Sequence, residues 1–473
     1  MSVHPLEEIL HPQSIAVVGA SGNPHVPGYQ FTACLLKYGF QGKVYPVNPK
    51  HSEIAGLKVY PDIREIPGSV DYVISSVPAS QVLGLVKDCA SKGVKALHLF
   101  TARFSETGRQ EATELEQQIL EEAKKGGIRI IGPNCMGLYY PRQGISFSDA
   151  MPKESGPVGL ISQSGQLAEE LGRYSALRAV YFSKAISYGN ALDFNECDFL
   201  DYFAQDPETK FILMYVEGIR DGERFMNALR QAASIKPVAV LKGGRGMSGT
   251  RAAASHTASL AGSQKIWPTL VTQAGAVSAA SPEELIDLAA AFTFLPPISS
   301  LRVGVAGGGG GASVLAADLC EEAGLDVIPL PAEIREELKR NGSAIWDWIG
   351  NPVDMSIRDR ADFNPGVIME MMARNDNFDL LIAIMSDPHH ERQKGLTAES
   401  YLEGFRLEKR NHKPVMAVVP DKALGIDEFD HWSWKVMCEV RTRLLEAGIP
   451  FYSTIERAAT AARKLVEYYQ RRG

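Results

Sequence analysis

Short runs of apolar residues alternate with longer amphipathic stretches through the first part of the chain. The apolar runs read SIAVVG from Ser14, then KVYPVN, DYVISSVP, ALHLF and RIIGPN. The stretches between them, such as SQVLGLVKDCASKG and ETGRQEATELEQQILEEAKKGG, repeat apolar residues with the spacing of a helix that buries one face. Strands separated by helices indicate right-handed crossovers and a doubly wound parallel sheet. Residues 1–128 are therefore predicted to form a Rossmann-like domain.

The same alternation of strand and helix patterns occurs twice more along the chain. GPVGLISQSG, KAISYG, KFILMYVEGI and PVAVLKGG give a second set of predicted strands, and LRVGVAG, LLIAIMS and PVMAVVP give a third. The segment FLPPISS near Leu295 is rich in proline and serine, as is typical of a linker between domains. The predicted fold class is α/β, with the Rossmann-like domain followed by two flavodoxin-like parallel-sheet domains at residues 129–295 and 296–473. A length of 473 residues agrees with several domains, because one core of that size would be exceptional.

Composition and charge limit the classes of function that this protein can have. Hydrophobic residues make up 45% of the chain and charged residues 22%, as in ordinary globular proteins. The net charge of -7, without a basic stripe, argues against nucleic-acid binding. There is no run of about 18 apolar residues and no leader pattern, so we expect a cytoplasmic protein without membrane contact. Six cysteines without a CxxC pair predict neither a zinc site nor a disulfide framework, and no metal site is expected in this chain.

The first predicted strand runs into a glycine-containing turn from Gly19 to Gly28. Glycine lets the backbone approach a phosphate at a helix amino terminus, where free N–H groups favour an anion. The spacing is not GxGxxG, and the second strand ends in VNPK, with Lys50 where an NAD site needs an acidic residue. A lysine there favours a phosphorylated ribose, as in NADP or coenzyme A. The alternative for Lys50 is a solvated loop lysine.

Two further strand ends carry polar groups suited to phosphoryl chemistry. Ser162, Gln163, Ser164 and Gly165 lead from a strand into a helix, again at an amino terminus that favours an anion. The alternative for Ser164 is a plain helix N-cap. Glu217 ends the strand FILMYVEGI, at the carboxyl edge of the same predicted sheet. A carboxylate there can hold one ring N–H of a histidine and stabilise its charged form; the alternative is an ordinary charged residue after a strand.

A long segment of small residues supplies the candidate histidine. Lys242 to Gly262 reads KGGRGMSGTRAAASHTASLAG, follows the strand PVAVL, and has neither helical nor strand periodicity. We predict a mobile loop at the carboxyl edge of the sheet. Its one imidazole, His256, is expected to be exposed and able to carry a transferred group. The alternative is a solvent-exposed histidine in a long linker.

Taken in order, these motifs resemble those of a known family. SIAVVGAS, GPNCMG, LISQSGQL, SYGNALD, YVEGI, SHTASLAG and NPVD follow one another as in the NDP-forming acyl-CoA synthetases, relatives of succinyl-CoA synthetase. Over nearly its whole length the chain is most similar to the α subunit of ADP-forming acetate-CoA ligases. The resemblance implies a ligase that interconverts a carboxylate, coenzyme A and ATP with acyl-CoA, ADP and phosphate. It also implies that an acyl-phosphate and a phosphohistidine are intermediates.

The resemblance implies roles for individual residues. His256 matches the phosphorylated histidine of the family, and Glu217 matches the carboxylate that stabilises it. The helix start at Ser162–Gly165 matches the place that receives the phosphoryl group, and Asn134 falls beside the acyl site. The positions that match the coenzyme A site are Gly19, Ala20, Ser21, Gly22, Lys50, Val77 and Pro78.

The resemblance also implies partners. Because the chain shows neither an ATP-grasp module nor a Walker-type motif, ATP or ADP with Mg²⁺ is expected to be held mainly by a separate ATP-grasp β subunit, in an α2β2 hetero-oligomer. The remaining partner is a small carboxylic acid or its acyl-CoA.

Two residues depart from the family pattern. Ala258 follows Thr257 where glycine is common, and Arg103 stands where a small residue is expected near the coenzyme A thiol. These departures keep open a CoA-binding regulatory or inactive homologue. An NAD(P)-dependent oxidoreductase, suggested by the first domain alone, is the other alternative.

Overall fold

The structure, a computed structural model, describes residues 4–246, 248–249, 266–357, 359, 366–388, 393–421 and 431–472. The chain divides into two compact units, Met1–Ile286 and Asp287–Gly473. The first unit holds two large sheets and the second holds one, so each of the three predicted sheets is present. The α/β class with parallel sheets is confirmed.

Seven strands belong to the first part of the first unit. In chain order they are β1 (Ser14–Val18), β2 (Lys43–Val47), β3 (Glu53–Ile54), β4 (Leu57–Lys58), β5 (Tyr72–Ser75), β6 (Ala96–Leu99) and β7 (Arg129–Ile131). Five of them form a parallel sheet in the order β2-β1-β5-β6-β7, while β3 and β4 pair as a separate antiparallel hairpin. β7 pairs with β6, so the first sheet extends past residue 128, the end expected for the first domain.

Local sequence sets the ends of the helices around this sheet. These helices are α1 (Glu7–Leu10), α2 (Pro27–Tyr38), α3 (Ala79–Lys92) and α4 (Gln110–Lys125). Pro27 lies in the first turn of α2, after Val26 in an extended conformation, as the fixed φ of proline favours. Gly39 and Gly93 end α2 and α3 in the left-handed conformation, which glycine adopts without a steric cost. Each helix therefore returns the chain to the next strand through a short turn.

The second sheet of the first unit has six strands. They are β8 (Gly137–Tyr139), β9 (Val158–Ser162), β10 (Phe182–Ser187), β11 (Phe211–Val216), β12 (Val238–Lys242) and β13 (Val277–Ala279). Their order is β13-β12-β11-β9-β10-β8, and all pairs are parallel except that β8 runs antiparallel to β10. The helices that accompany this sheet are α5 (Gly165–Ala176), α6 (Glu196–Gln205), α7 (Gly222–Ile235), α8 (Trp267–Gln273) and α9 (Pro282–Phe294). β9, β10 and β12 are buried along their whole length, as expected of strands covered on both faces.

The second unit is a four-stranded parallel sheet with helices. Its strands are β14 (Val303–Gly307), β15 (Leu380–Ile384), β16 (Val415–Val418) and β17 (Phe451–Tyr452), in that order across the sheet. Its helices are α10 (Gly310–Glu322), α11 (Ala332–Arg340), α12 (Gly366–Arg374), α13 (Ala398–Glu403), α14 (Trp432–Glu446) and α15 (Ile455–Gln470).

The division between the units falls inside α9 and not at the segment after Leu295. Asp287, in the second turn of this helix, accepts two hydrogen bonds from the Arg457 guanidinium at 2.7 and 3.0 Å. Ala291 and Leu295 belong to the hydrophobic core of the second unit. The last turns of α9 are therefore part of the second unit, and the FLPPISS segment follows a helix that already belongs there.

Among the described residues, no helix has the length and apolar character needed to cross a bilayer. The cytoplasmic location expected from the sequence stays a prediction, as do the domain boundaries.

Candidate active site

The turn after β1 is closely packed on one side and open on the other. Gly19 has φ +86°, and a Cβ atom there would lie 2.8 Å from Ser76 Oγ. A Cβ atom at Gly28, in the first turn of α2, would lie 2.0 Å from the Gly19 carbonyl oxygen. Gly22 is exposed, and no atom lies within 4 Å of where its Cβ would be. The Gly19 N–H donates to the Val47 carbonyl oxygen at 3.1 Å and Ala20 is buried, so the part of the turn that is open to a phosphate lies at Ser21 and Gly22.

The neighbouring strand ends hold this turn in place. The Asn48 side chain, just after β2, donates a hydrogen bond to the Ala20 carbonyl oxygen at 2.7 Å. Ser76, just after β5, donates through Oγ to the Gly19 carbonyl oxygen at 3.1 Å. The backbone N–H of Lys50 donates to Asn48 Oδ1 at 2.9 Å, and the Lys50 side chain is exposed. The structure thus brings Gly19–Gly22 and Lys50 to one edge of the first sheet.

The other predicted cofactor residues lie along the same edge. Thr101, after β6, donates through Oγ1 to the Val77 carbonyl oxygen at 2.6 Å. The Asn134 N–H, after β7, donates to the Thr101 carbonyl oxygen at 3.0 Å. Pro78 is the residue that precedes α3 and is exposed. Val77, Pro78 and Asn134 therefore surround the end of β6, on the side of the sheet away from β2.

A hydrogen-bonded chain joins this edge to the second sheet. The Asn134 amide donates to Asn190 Oδ1 at 3.4 Å, and the Asn190 amide donates to Glu106 Oε2 at 2.6 Å. Asn190 belongs to the SYGNALD segment after β10. Sequence reasoning noted that segment but assigned no role to Asn190, and it did not single out Glu106. The available signal was a polar residue in the loop that follows a buried strand, which is weak when taken alone.

The turn after β9 is built around a helix cap. Ser164 Oγ accepts a hydrogen bond from the Leu167 N–H at 3.3 Å, so Ser164 is the N-cap of α5, the alternative considered from the sequence. Ser162 Oγ donates to the Ser164 carbonyl oxygen at 2.6 Å. A Cβ atom at Gly165 would lie 2.5 Å from Met136 Cγ. The start of α5 is therefore packed against the segment that contains Asn134.

Gln163 connects the start of α5 to the end of β11. Its side-chain Oε1 accepts hydrogen bonds from the Glu217 N–H at 2.7 Å and from the Gly218 N–H at 3.1 Å. The Tyr215 hydroxyl donates to Glu217 Oε1 at 3.2 Å. Burial raises the pKa of Tyr215, and the neighbouring Glu217 raises it further, so the phenol stays protonated at neutral pH and can donate. Gln163 thus positions the backbone and does not present its oxygen to a ligand.

Lys242, at the end of β12, is a site residue that sequence reasoning missed. Its ammonium is buried and donates to the Glu217 carbonyl oxygen and to the Gly243 carbonyl oxygen, the latter at 2.6 Å. Burial lowers the pKa of Lys242, and the nearby Glu217 partly offsets this effect. A lysine at the end of the buried run PVAVLK was the available signal.

A cavity of about 660 Å³ opens at this edge of the second sheet. It lies between the first turns of α5, the turn after β12 and the start of α9. Its lining residues are Ser164, Gln166, Leu167, Glu170, Tyr215, Leu241, Lys242, Gly243, Gly244, Arg245, Gly246, Ala280, Ser281 and Pro282. The predicted loop continues from Gly246, but His256 and Ala258 lie outside the described residues.

Comparison with known proteins identifies the family. A model of the CoA binding domain matches residues 13–141, and a model of the succinyl-CoA ligase like flavodoxin domain matches residues 155–292. The acetate–CoA ligase (ADP-forming) II subunit alpha of Pyrococcus furiosus is 37% identical over 466 residues, which cover 98% of this chain and 97% of the relative. The chain belongs to the ADP-forming acetate–CoA ligase family. The membership expected from the sequence is confirmed.

Two further proteins extend the comparison. The acetyl-coenzyme A synthetase 1 of Candidatus Korarchaeum cryptofilum, solved with phosphate and ADP, has a TM-score of 0.81 and 32% identity, and the match covers 99% of each chain. The acetate–CoA ligase (ADP-forming) of Methanocaldococcus jannaschii is 38% identical over 352 residues, which cover 74% of this chain and 49% of that protein. Some relatives are therefore considerably longer than this chain. The roles expected for individual site residues stay predictions.

Proposed function

We propose that this chain is the subunit of an ADP-forming acyl-CoA ligase that binds coenzyme A and carries the phosphoryl group. The enzyme interconverts a carboxylate, coenzyme A and ATP with acyl-CoA, ADP and phosphate. The observation that carries the proposal is the arrangement of the first unit. The sheet edge with the open glycine turn is linked through Asn134 and Asn190 to the loop after β10 in the second sheet. The cavity lies at the edge of that second sheet, and the chain continues toward His256 from Gly246, one of its lining residues.

In this proposal coenzyme A binds along the edge of the first sheet. The N–H groups of Ser21 and Gly22 receive its phosphates, while Gly19 and Ala20 form the closely packed side of the turn. Lys50 pairs with phosphate charge. Val77 and Pro78 line the path toward Asn134, where the thiol meets the acyl group. Coenzyme A supplies a thiol that leaves readily from a thioester carbonyl.

The phosphoryl group reaches His256 in two steps, first as an acyl-phosphate and then as a phosphohistidine. A phosphate oxygen attacks the thioester carbonyl carbon, the C–S bond breaks, and the thiol leaves with a proton, which gives an acyl-phosphate. A ring nitrogen of His256 attacks the phosphorus atom, and the P–O bond to the acyl group breaks to release the carboxylate. The N–H groups of Ser164 and Gly165, at the start of α5, stabilise the charge on the phosphoryl oxygens during this transfer. Ser162 and Gln163 hold this turn in place, since the Gln163 N–H donates to the Tyr215 carbonyl oxygen at 3.0 Å.

Glu217 is proposed to hold the imidazole. Its Oε1 accepts a hydrogen bond from Tyr215, and no described residue donates to Oε2, which leaves that oxygen for the ring N–H of His256. The carboxylate fixes the ring orientation and stabilises the positive charge of the phosphorylated ring. Lys242 holds the Glu217 backbone in place from the opposite side of the strand end.

The nucleotide is proposed to bind mainly to a separate ATP-grasp β subunit that also holds Mg²⁺, in an α2β2 assembly. Two comparisons support this. The Pyrococcus relative, which this chain matches over 97% of its length, is named a subunit alpha. In the Methanocaldococcus relative the matched part is only 49% of the protein, which leaves room for a fused second module. In this proposal His256 moves between two sites, the nucleotide site of the β subunit and the thioester site of this chain.

Labelling with ATP tests the proposal. The chain, co-purified with its partner subunit, is incubated with Mg²⁺ and ATP labelled in the γ-phosphate. We expect label on this chain and none on His256→Ala. The matched control is His412→Asn, which removes another exposed imidazole at a position with φ +62° that asparagine tolerates. Label that persists on His256→Ala contradicts the proposal.

The two alternatives give different outcomes in the same experiment. A regulatory homologue would bind coenzyme A and remain unlabelled, and an NAD(P)-dependent oxidoreductase would bind a dinucleotide instead. Neither is favoured, because the two relatives described above that match over the whole length are named an acetate–CoA ligase subunit and an acetyl-coenzyme A synthetase.

A further inference from the structure

In the loop after β6, an arginine has a backbone conformation that residues other than glycine rarely adopt. Arg103 has φ +80°, in the left-handed region that favours glycine. A non-glycine residue pays a steric cost there, and such residues persist where the surrounding structure enforces them, often at ligand sites. Arg103 therefore stands at a position whose backbone conformation favours glycine.

Glu106 stabilises this conformation, and both of its carboxylate oxygens accept hydrogen bonds. Its Oε1 accepts hydrogen bonds from the Arg103 N–H and, at 3.1 Å, from the Phe104 N–H. Its Oε2 accepts from the Phe104 N–H at 3.0 Å and from the Asn190 amide at 2.6 Å. The acid nearest in sequence to Arg103 therefore bonds to the backbone and to Asn190.

The Arg103 guanidinium is left without an anionic partner. The residue is exposed, and among the described residues its guanidinium forms no ion pair or hydrogen bond. Guanidinium is a planar donor that recognises a carboxylate through two parallel hydrogen bonds. An unpaired guanidinium on an enforced backbone is thus ready to bind an anion.

The loop lies on the acyl side of the proposed site. Thr101, two residues before Arg103, accepts a hydrogen bond from the Asn134 N–H and donates one to the Val77 carbonyl oxygen. In the sheet order, β6 lies between β5 and β7, whereas the glycine turn proposed for the phosphates follows β1. β6 and β1 are two strands apart, roughly 10 Å, since neighbouring strands are about 4.8 Å apart.

We propose that Arg103 is a specificity-determining residue that binds a second carboxylate on the acyl substrate, so that the preferred acid is a short dicarboxylate. This inference rests on the proposed ligase function. The reacting carboxylate lies beside Asn134, and the distal carboxylate pairs with the Arg103 guanidinium. A monocarboxylate of the same length leaves the guanidinium to water.

Paired acids test the inference with the complete enzyme, this chain together with its partner subunit. Thioester formation is measured with succinate against butyrate and with glutarate against pentanoate. We expect a lower KM for the dicarboxylate of each pair. In Arg103→Gln, which removes the charge, the KM for the dicarboxylate rises about tenfold or more, while the KM values for the monocarboxylate and for coenzyme A are unchanged.

Three further variants separate recognition from a structural role. Arg103→Lys keeps a charge but loses the two-bond geometry, so it retains part of the preference. Arg103→Gly relieves the backbone, so the thermal unfolding midpoint rises or stays the same although the dicarboxylate KM increases. The matched control is Arg109→Gln, another exposed arginine in the same connection, which leaves all KM values unchanged.

Other results overturn the inference. Equal KM values for the two acids of a pair in the wild-type enzyme exclude a distal carboxylate site. A rise of the coenzyme A KM in Arg103→Gln assigns the guanidinium to a phosphate of the cofactor, and an equal rise for both acids assigns it to the reacting group. Labelling of His256 in the same preparations keeps the two proposals apart. If wild-type His256 is labelled but the dicarboxylate preference is absent, only the specificity inference is wrong. If wild-type His256 is not labelled, the ligase proposal is wrong, and so is the specificity inference that rests on it.

Discussion

His98 makes the stability of the first unit depend on pH. It lies in β6, is 1% exposed, and its Nε2 is 3.0 Å from the Cys135 carbonyl oxygen. Because a carbonyl only accepts, Nε2 carries the proton and Nδ1 is bare. The ring packs edge-on against Phe31, and a Cβ atom at Gly137 would lie 2.5 Å from it. No room remains for water to solvate a charged imidazole.

Burial lowers the pKa of His98 from 6.5 to about 4, and its hydrogen bond to Cys135 only partly offsets this effect. In the unfolded chain the ring takes up a proton as the pH falls below 6.5, whereas in the folded protein it stays neutral until about pH 4. The unfolded state therefore binds more protons in that window, and stability is lost as the pH falls. With these two pKa values, the free energy of unfolding falls by about 2 kcal/mol between pH 7 and pH 5 on account of His98 alone.

His98→Gln isolates this contribution, because glutamine keeps a donor for the Cys135 carbonyl and does not titrate. Calorimetric unfolding of the full chain is compared at pH 7 and pH 5 for the wild type and the variant. We expect the variant to lose about 2 kcal/mol less than the wild type over this range, whatever its stability at pH 7. Parallel losses in the two proteins would show that the folded ring is already protonated at pH 5, and the reasoning from burial would be wrong.

Two further variants test the cofactor turn and the candidate catalytic carboxylate. Gly28→Ala places a Cβ 2.0 Å from the Gly19 carbonyl oxygen and should cost about 2 kcal/mol or more in thermal unfolding, whereas Gly84→Ala in α3, with open space around it, should cost nothing. Equal effects of the two substitutions contradict the proposed packing of the turn. Glu217→Gln keeps a hydrogen-bond acceptor but loses the charge, so the rate of labelling of His256 should fall roughly tenfold or more. Tyr215→Phe, which removes only the donor to Glu217, should have the smaller effect, and wild-type labelling of Glu217→Gln refutes the proposed role.

The strands that carry the site were predictable because they are buried runs of β-branched and aliphatic residues followed by glycine, proline or polar residues. β8 and β13 were not predicted. Each has three residues and lies at an edge of the second sheet, so neither shows a recognisable period. The division of the two units inside α9 also has no clear sequence signal. The helix stays apolar beyond Asp287, and only the contact with Arg457 shows which unit its last turns join.

The sequence indicated which strand ends carry the candidate site residues, but it did not indicate which side chains contact one another there. Parallel strands bring their carboxyl ends to one edge of a sheet, so Lys50 after β2 and Glu217 after β11 could each be placed at the edge of its own sheet. Asn134 was singled out only by the resemblance to the family. The partners Asn190 and Glu106 were missed, because they come together only when the two sheets of the first unit pack.

The side-chain amide of Gln163 has a mechanical consequence. It joins the residue before the α5 N-cap to two successive backbone N–H groups at the end of β11, so the start of α5 and the backbone of Glu217 are connected through one side chain. A displacement of α5 is therefore transmitted to the end of β11 through this one side chain. In the proposed mechanism, His256 then meets the start of α5 and Glu217 at the same separation on every turnover.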